Sequence, residues 1–186
     1  MIGCKPLSKE EQFKISASLE TERDRMLFTL ILKTGLRISE VLSIKIDSLF
    51  QYDALKSILT VEKRFTKGKV GTRNIPLSES LQRELFQYLK QLPKEQEFLF
   101  ESNRGKLSRT QAWRAIKEAA TRAGIKGKVA THSGRKSYAK TIYELSGRDL
   151  ALTQRAMGHK SVNSTISYLS FISNEEVDDI ILKGQE

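Results

Sequence analysis

The amino-acid sequence predicts an α+β fold that is mainly α-helical and carries one small antiparallel β-sheet. Two observations lead to this prediction. Along most of the chain, residues that cap helices precede apolar residues at helical spacing. Between residues 44 and 77 the pattern instead becomes typical of two β-strands around a turn. At 186 residues, without an internal repeat or a low-complexity segment, the chain is expected to form one domain.

Two helices are predicted near the N-terminal end. Ser8 and Glu11 have the spacing of a capping box, which predicts a helix that runs to about residue 19. Thr21 begins a second helix, and Gly35 ends it. The apolar residues of this second helix lie nearly all round it, so we expect it to be buried; they are Met26, Leu27, Phe28, Leu30, Ile31 and Leu32.

A short helix is predicted to begin at Arg37, and the β region follows it. Ile58 to Val61 is predicted as one strand, Lys67-Gly68-Lys69 as a turn and Arg73 to Leu77 as the return strand. The sheet is therefore small, with basic residues at its tip. The short helix is expected to point three residues towards the core, namely Glu40, Val41 and Leu42.

The rest of the chain predicts helices that open with capping residues. Their expected bounds are Ser78 to about Leu92, Ser108 to about Ala123, Thr131 to about Leu145, Asp149 to Met157 and Val162 to Tyr168, with Asn174 capping a last helix.

Charge and composition narrow the class of partner. The net charge of +10 and the pI near 9.7 favour a polyanion, with nucleic acid first and an anionic membrane second. The longest strongly apolar stretch, Met26 to Leu32, is far shorter than the roughly 20 residues that span a bilayer, and no signal-peptide pattern begins the sequence. We expect a soluble, cytoplasmic protein. Because Cys4 is the single cysteine, an intrachain disulfide and a thiolate metal cluster are excluded.

Two segments concentrate the positive charge. Val61 to Arg73 has five basic residues against one acid, and Glu101 to Lys128 has eight against two, whereas Asn174 to Glu186 is acidic. Such segments fit contacts with phosphates, although a solvated basic face is the alternative. The candidate DNA-binding residues are Lys63, Arg64, Lys69, Arg73 and Arg109.

Five side chains have the chemistry for attack on a phosphodiester. Arginine forks match the nonbridging oxygens of a phosphate, and Arg37 and Arg135 fit that need. A hydroxyl nucleophile needs an imidazole nearby, and the two histidines of the chain are His132 and His159. Tyr168, nine residues after His159, is the candidate nucleophile. Lys67 or Lys69, at the predicted hairpin tip, can protonate the leaving 5′ oxygen.

Each candidate also has a purely structural interpretation. Arg37 can be a surface arginine at a helix start, and His132 can cap its helix with Arg135 beside it. Gly158-His159 can be a helix C-cap followed by a solvated imidazole. Tyr168 can be one more core aromatic residue, as we expect for the other tyrosines, Tyr52, Tyr88, Tyr138 and Tyr143. The joint order and spacing of the candidates favours the catalytic interpretation.

Three strings of residues together resemble the tyrosine recombinase (phage integrase) family. They are Thr34 to Leu42, His132-x-x-Arg135, and Met157 to Ser161 continuing through Ser164-Thr165 to Tyr168. The match runs from about Leu7 to Phe171, nearly the whole chain.

The resemblance implies a fold and a set of roles. The fold is that of a tyrosine recombinase catalytic domain, here residues 1–173, with residues 174–186 as a tail that docks on a neighbouring protomer or on its own core. Tyr168 attacks the scissile phosphate to give a 3′-phosphotyrosyl link, Arg37 and Arg135 hold the phosphate, and His132 and His159 assist proton transfer. The implied partner is double-stranded DNA, on which the protein is expected to form a multimer, a tetramer. Neither a metal nor a cofactor is implied.

Three features depart from the family pattern. Gly134 stands where the family usually has Leu, so we expect a lost core contact and a helix weaker by up to about 1 kcal/mol. The general-acid lysine is ambiguous, and the position of Lys67 before Arg73 and Ile75-Pro76-Leu77 favours Lys67 over Lys69. The family's N-terminal DNA-clamping domain is absent, which fits either a fragment or a naturally short recombinase.

Two other functions stay open from sequence alone. A type IB topoisomerase shares the mechanism, but its nucleophile motif and lysine context differ from those of this chain. A non-catalytic DNA-binding regulator belongs to another class, and the complete set of candidate residues argues against it.

Overall fold

The computed structural model describes residues 3–52, 54–64 and 70–169, with the backbone alone at residues 62–64, 70 and 71. Two compact units make up the chain, residues 1–138 and residues 139–186. The first unit contains α1 (Lys9–Ser18), α2 (Glu22–Thr34), α3 (Ile38–Val41), α4 (Glu79–Leu89), α5 (Arg109–Arg122) and the start of α6 (Thr131–Leu145). The second contains the rest of α6, α7 (Leu150–Met157) and α8 (Val162–Leu169).

The predicted caps of α1 and α2 are confirmed. The Ser8 hydroxyl accepts a hydrogen bond from the backbone N–H of Glu11, and the Glu11 carboxylate accepts one from the N–H of Ser8. Thr21 caps α2 through the N–H of Asp24. Gly35 ends α2 with φ +60° and ψ 21°, the left-handed conformation that glycine adopts at low cost.

The helix α2 is the centre of the first unit. It packs against α1, α3, α4 and α5. Its apolar side chains are buried, as predicted, with Leu32 partly buried at the edge of the core. Val41 and Leu42 at the end of α3 are buried beside it. A helix with apolar residues nearly all round therefore has neighbours on most of its faces.

The β structure is more extensive than predicted. The expected pair is present as β3 (Ile58–Arg64) and β4 (Val70–Pro76), antiparallel, with Leu59 opposite Ile75 and Val61 opposite Arg73. Leu59, Val61 and Ile75 are buried on one face. The prediction of a single sheet was wrong, because two further antiparallel pairs occur in the described part of the chain. These are β1 (Phe50–Gln51) with β2 (Ala54–Leu55) and β5 (Glu101–Ser102) with β6 (Gly105–Lys106).

Two other expectations need correction. Tyr52 is not a core residue: it is 93% exposed and has φ 50°, in the turn between β1 and β2. Tyr88, by contrast, is buried, and its hydroxyl donates to the carbonyl of Leu99 at 3.2 Å. The helix α4 ends at Leu89 rather than at the predicted Leu92. Pro93 contributes to this, because a proline disfavours helical backbone at Leu92 and in a continued helix its ring would clash with the carbonyl of Leu89, four residues before it.

Gly134 does not leave a void in the core. A Cβ built on Gly134 would lie 2.9 Å from Cγ2 of Ile31 and 3.5 Å from Cδ2 of Leu32. The absence of a side chain thus lets α6 approach α2 closely. The expectation of a lost core contact was wrong, since Ile31 fills the space that a larger residue would occupy.

The segment before α1 runs along the start of α6. The N–H of Lys5 donates to the carbonyl of Lys128 at 3.1 Å, and the N–H of Leu7 donates to the hydroxyl of Ser137 at 2.7 Å. That hydroxyl donates in turn to the carbonyl of Ser133 at 2.9 Å. The first residues of the chain therefore support the helix turn that carries His132 and Arg135.

In the second unit, α7 and α8 pack against each other. Asp149 caps α7 through the N–H groups of Ala151 and Leu152, and Gly158 ends it in the left-handed conformation, with φ 61°. The predicted last helix at Asn174 and the tail of residues 174–186 lie outside the described residues. Across the residues that are described, no helix combines the length and apolar character that crossing a membrane would require.

Candidate active site

In the first unit, Arg37 stands at the start of α3, directly after the turn at Gly35. Its backbone N–H and its Nη1 both donate to the carboxylate of Glu40, at 2.7 Å and 3.1 Å. Glu40 is buried, whereas the side chain of Arg37 is 41% exposed. A buried carboxylate thus orients one arm of the guanidinium while the group still reaches the surface, which suits an arginine that holds an anion.

Arg135 comes from α6 and is 1% exposed, so its guanidinium lies inside the protein. Its Nη1 donates to the backbone carbonyl of Gly35. The same short segment therefore leads into Arg37 and anchors Arg135. The two arginines of the predicted site are brought together in this unit by the turn that ends α2.

Arg73, predicted as a DNA contact, lies on β4 and is only partly exposed. Burial lowers the pKa of its guanidinium, the nearby carboxylate of Glu40 opposes that effect, and Arg37 adds to it. Arg73 therefore belongs to the same group of charges as Arg37 and Glu40.

His132 lies on α6 one turn before Arg135. Although the residue keeps an exposed face, burial of part of the ring lowers the pKa of His132, and the positive charges of Arg135 and Arg37 lower it further. The imidazole is thus held towards its neutral form near Arg135, the form that accepts a proton. Thr131, predicted as the cap of this helix, is its first helical residue. At the helix start, the hydroxyl of Ser133 accepts a hydrogen bond from the backbone N–H of Ala130.

The second unit carries the other histidine and the tyrosine. The N–H of His159 donates to the carbonyl of Gln154 across the left-handed turn at Gly158. The Nδ1 atom of the buried His159 is 3.0 Å from the hydroxyl of Thr165. The rings of His159 and Tyr168 lie with centroids 5.0 Å apart and planes at 59°. The described structure therefore brings the predicted imidazole and the predicted tyrosine side by side.

Several predicted residues lack a described side chain. Lys67 and Lys69 lie outside the described residues, and at Lys63 and Arg64 the backbone of β3 alone is described. Arg109 is exposed at the first position of α5. The choice between the two lysines stays a prediction.

Two residues beside the site were not predicted to take part in it. Glu40 lies three residues after Arg37, a capping-box spacing that marks it as the carboxylate for the helix start. Thr165 lies three residues before Tyr168, so both occupy one face of α8. The sequence shows that spacing, but it does not show that the chain turns back at Gly158 to bring His159 against this face.

Within the described ranges, no group of three or more His, Cys, Asp or Glu side chains is arranged to hold a metal ion. The charged groups described near Arg37 in the first unit are mainly positive: Arg73 and Arg135 accompany it and the carboxylate of Glu40. Such a set is suited to an anion with several oxygens, and a phosphate diester is one.

Comparison with known proteins identifies relatives of this chain. The sequence model of the phage integrase family matches residues 5–174. The tyrosine recombinase XerA of Pyrococcus furiosus is 34% identical over 171 residues, which cover 88% of this chain and 56% of XerA. The probable integrase/recombinase YoeC of Bacillus subtilis is 34% identical over 165 residues, covering 88% of this chain and 86% of YoeC.

Solved structures show the same fold. The crystal structure of XerA recombinase matches with a TM-score of 0.77 and 24% identity, covering 100% of this chain and 66% of that one. XerH site-specific recombinase bound to palindromic difH substrate matches with a TM-score of 0.71 and 23% identity, covering 98% of this chain and 54% of that one. The predicted fold class, mainly helical with small antiparallel β structure, is confirmed.

Proposed function

Because this chain belongs to the phage integrase family, we propose that it is a site-specific DNA recombinase that cuts and rejoins double-stranded DNA through a 3′-phosphotyrosyl intermediate. The names of the relatives XerA and YoeC support this function, and the XerH structure contains a DNA substrate. The chain spans 56% of XerA, so the activity of the whole protein is part of the proposal. The observation that carries it is the pairing of His159 with Tyr168.

The first unit supplies the groups that hold the phosphate. In the proposed reaction, Arg37 and Arg135 donate to the nonbridging oxygens, where negative charge increases as the phosphorus becomes five-coordinate. Both guanidiniums are already oriented, by Glu40 and by the carbonyl of Gly35. This preorganisation matters because donors that need no rearrangement stabilise the transition state most effectively. His132, with its lowered pKa, serves as a hydrogen-bond partner and proton acceptor near the phosphate.

The second unit supplies the nucleophile. The phenol oxygen of Tyr168 forms a bond to phosphorus, and the bond from phosphorus to the 5′ oxygen breaks. The phenol proton passes to an imidazole, and the 5′ oxygen takes up a proton from the hairpin lysine. Attack by a 5′ hydroxyl on the phosphotyrosine reverses these steps and rejoins DNA, so no external energy source is required. The imidazole of His159, whose Nδ1 lies beside the hydroxyl of Thr165, is next to Tyr168 in this unit.

For the hairpin lysine, Lys67 is the proposed general acid and Lys69 a phosphate contact. Replacement of the bridging 5′ oxygen by sulfur provides the test, because a thiolate leaves without protonation. Lys67→Ala is expected to cleave ordinary DNA slowly and to recover most of its rate on the sulfur substrate. Lys69→Ala is the matched control, with weaker binding and no sulfur rescue. Rescue of Lys69→Ala alone would reverse the assignment.

Residues 1–173 form the proposed catalytic domain, and residues 174–186 a tail that docks on a neighbouring protomer. A single protomer of 21.2 kDa covers only part of a recombination site, so strand exchange requires a multimer on DNA, proposed as a tetramer. The proposed DNA contacts outside the reacting groups are Lys63, Arg64, Lys69, Arg73 and Arg109.

Covalent trapping tests the proposed reaction. Nicked duplexes tiled across the DNA that flanks the gene serve as suicide substrates, and adducts appear as shifted bands on a denaturing gel. The wild-type chain is expected to form an adduct. Tyr168→Phe keeps the ring but lacks the attacking oxygen, so it is expected to bind DNA and form none. Tyr143→Phe, which alters another partly buried tyrosine, is the control and is expected to form the adduct.

The outcomes separate the alternatives. An adduct formed by Tyr168→Phe would exclude Tyr168 as the nucleophile. DNA binding by the wild type with no adduct on any substrate would favour a regulator. Adduct formation with relaxation of supercoiled DNA, but without exchange between two sites, would favour a topoisomerase.

A further inference from the structure

The turn at Gly35 is held from two sides by residues of one helix. The carbonyl of Gly35 accepts the Nη1 donor of Arg135. The ring of Tyr138, three residues after Arg135, lies against the α-carbon of Gly35: a Cβ built there would be 2.2 Å from Cδ1 and 2.7 Å from Cε1 of Tyr138. Residues three apart on a helix share a face. The guanidinium of Arg135 and the ring of Tyr138, both on α6, therefore contact the same residue, Gly35.

The contact of Tyr138 with Gly35 also bears on Arg37, because Gly35 lies just before it in the chain. Gly35 ends α2 in the left-handed conformation, and Arg37 starts α3 two residues later. Any rotation of the Gly35 peptide would move its carbonyl away from Arg135 and would turn the chain that carries Arg37. The buried Leu36, between them, is 0% exposed, so this segment has little room to shift without its neighbours.

Tyr138 is also affected by the charges of the site. Burial raises the pKa of its phenol, and the positive charges of Arg73 and Arg135 oppose that rise. The ring of Tyr138 therefore lies against the Gly35 turn and close enough to Arg73 and Arg135 for their charges to act on its phenol, although it contributes no group to the proposed chemistry.

We propose that Tyr138 is a positioning residue: its ring, seated on Gly35, fixes the carbonyl that orients Arg135 and the turn that delivers Arg37. The proposal rests on the proposed function for its effect on cleavage. It assigns no contact with the substrate to Tyr138, which acts through the two arginines.

Cleavage kinetics test the proposal in a graded series. Tyr138→Ala removes the ring, and the expected result is a cleavage rate about 10- to 100-fold lower with DNA affinity within about threefold of wild type, because small displacements of catalytic groups are costly. Tyr138→Phe keeps the ring on Gly35 and is expected to restore the rate to within about threefold of wild type. Tyr143→Ala, which removes a partly buried ring from the same helix, is the control and should keep the rate of the folded protein.

A double variant separates positioning from a general loss of structure. Tyr138→Ala should lower the rate of the Arg135→Lys variant by clearly less than it lowers the wild-type rate, because one of the two arginines that Tyr138 positions is already gone and only the effect through Arg37 remains. Full multiplication of the two defects would overturn the proposal, as would a cleavage rate for Tyr138→Ala within about threefold of wild type.

A measurement without DNA keeps this inference distinct from the proposed reaction. The side-chain NMR signal of the Arg135 guanidinium, assigned by its loss in Arg135→Lys, is expected to show slow proton exchange in the wild type and in Tyr138→Phe. Tyr138→Ala should accelerate that exchange by about tenfold or more, since the carbonyl acceptor is no longer fixed. Unchanged exchange would overturn the positioning role, even if the wild type cleaves DNA. Failure of the wild type to cleave would overturn the proposed function alone.

Discussion

Arg135 is a charged side chain that the protein holds almost entirely away from solvent. Its exposure is 1%, and one arm donates to a backbone carbonyl. Removal of an ion from water costs several kcal/mol unless hydrogen bonds and opposite charges offset it. In the proposed reaction, the phosphate meets a guanidinium that is already desolvated and oriented. Electrostatic interactions are stronger there than at an open surface.

This geometry predicts that cleavage requires the planar, forked set of donors of the Arg135 guanidinium and not only its positive charge. Arg135→Lys keeps the charge but loses the planar set of donors, and loss of one preorganised donor costs on the order of 100- to 1000-fold in rate. Arg37→Lys should behave similarly, because it too loses the planar set of donors that matches a phosphate. Single-turnover cleavage measures the effect. Arg25→Lys, at a partly buried arginine paired with Glu22 on α2, is the control with an unchanged rate.

The protonation of His132 leads to a second prediction. Because the pKa of His132 is lowered in the folded state, the unfolded chain binds this proton more readily. The stability contributed by neutral His132 is therefore present above the ordinary histidine pKa of about 6.5, and it is lost as the pH falls through the lowered value. Urea unfolding between pH 8 and pH 5 should show a larger loss of stability for the wild type than for His132→Gln. Equal losses for the two proteins would contradict this prediction.

At the scale of single residues, the motif spacing was sufficient to propose the reacting residues, but not the residues that support them. Arg37, His132 and Arg135 were recognisable because the chemistry restricts both residue type and order. The contact of Tyr138 with Gly35 was not predictable, since it joins residues far apart in sequence and leaves no periodic pattern.

Among the elements, α2 and α6 meet where the side chain of Ile31 lies against Gly134. Gly134→Ala tests it. Alanine improves helix propensity by up to about 1 kcal/mol, but the added methyl would meet the buried Cγ2 of Ile31, and overpacking of a core costs about 1–3 kcal/mol. The packing cost should exceed the propensity gain, so the free energy of unfolding is expected to fall by about 1 kcal/mol. Chemical denaturation measures this change.

A second substitution provides the control. Ile31→Leu removes the branched methyl at Cγ2, so it should relieve the clash. The double variant is then expected to be more stable than the sum of the two single effects by about 0.5–1 kcal/mol. Additive effects would show that Gly134 is not constrained by Ile31.

The helices were predicted well, and the shortest strands were not. The caps and the apolar pattern fixed α1, α2 and α5 to within one or two residues. The pairs β1–β2 and β5–β6 were missed because each strand has two residues, too few for an alternating pattern. At Tyr52 an aromatic residue adopts a turn conformation that glycine or asparagine usually supplies, so composition pointed to the core instead.

For the molecule as a whole, the excess of positive charge predicts binding to DNA that weakens strongly with salt. Each neutralised phosphate contributes a slope of about −0.9 to log K against log salt. Arg109→Ala should reduce the steepness by about one unit and weaken binding equally on all sequences. Arg83→Ala removes the same charge at an exposed residue paired with Glu79 on α4, and it should leave the slope unchanged. Fluorescence anisotropy over a range of salt concentrations compares the three proteins, and equal slopes would remove Arg109 from the DNA-contacting set.

The hydrogen bond between Leu7 and Ser137 also shows which contacts can form only late in synthesis of the chain. A ribosome releases the N-terminal end first, and the partner of Leu7 is made 130 residues later. Arg135 likewise follows its acceptor, Gly35, by 100 residues. During synthesis, the nascent chain therefore carries Arg37 long before the helix that completes its surroundings has emerged. A chain that is interrupted before α6 holds neither Arg135 nor the Ser137 hydroxyl that accepts from Leu7, so the arginines proposed to hold the phosphate can come together only after α6 has been made.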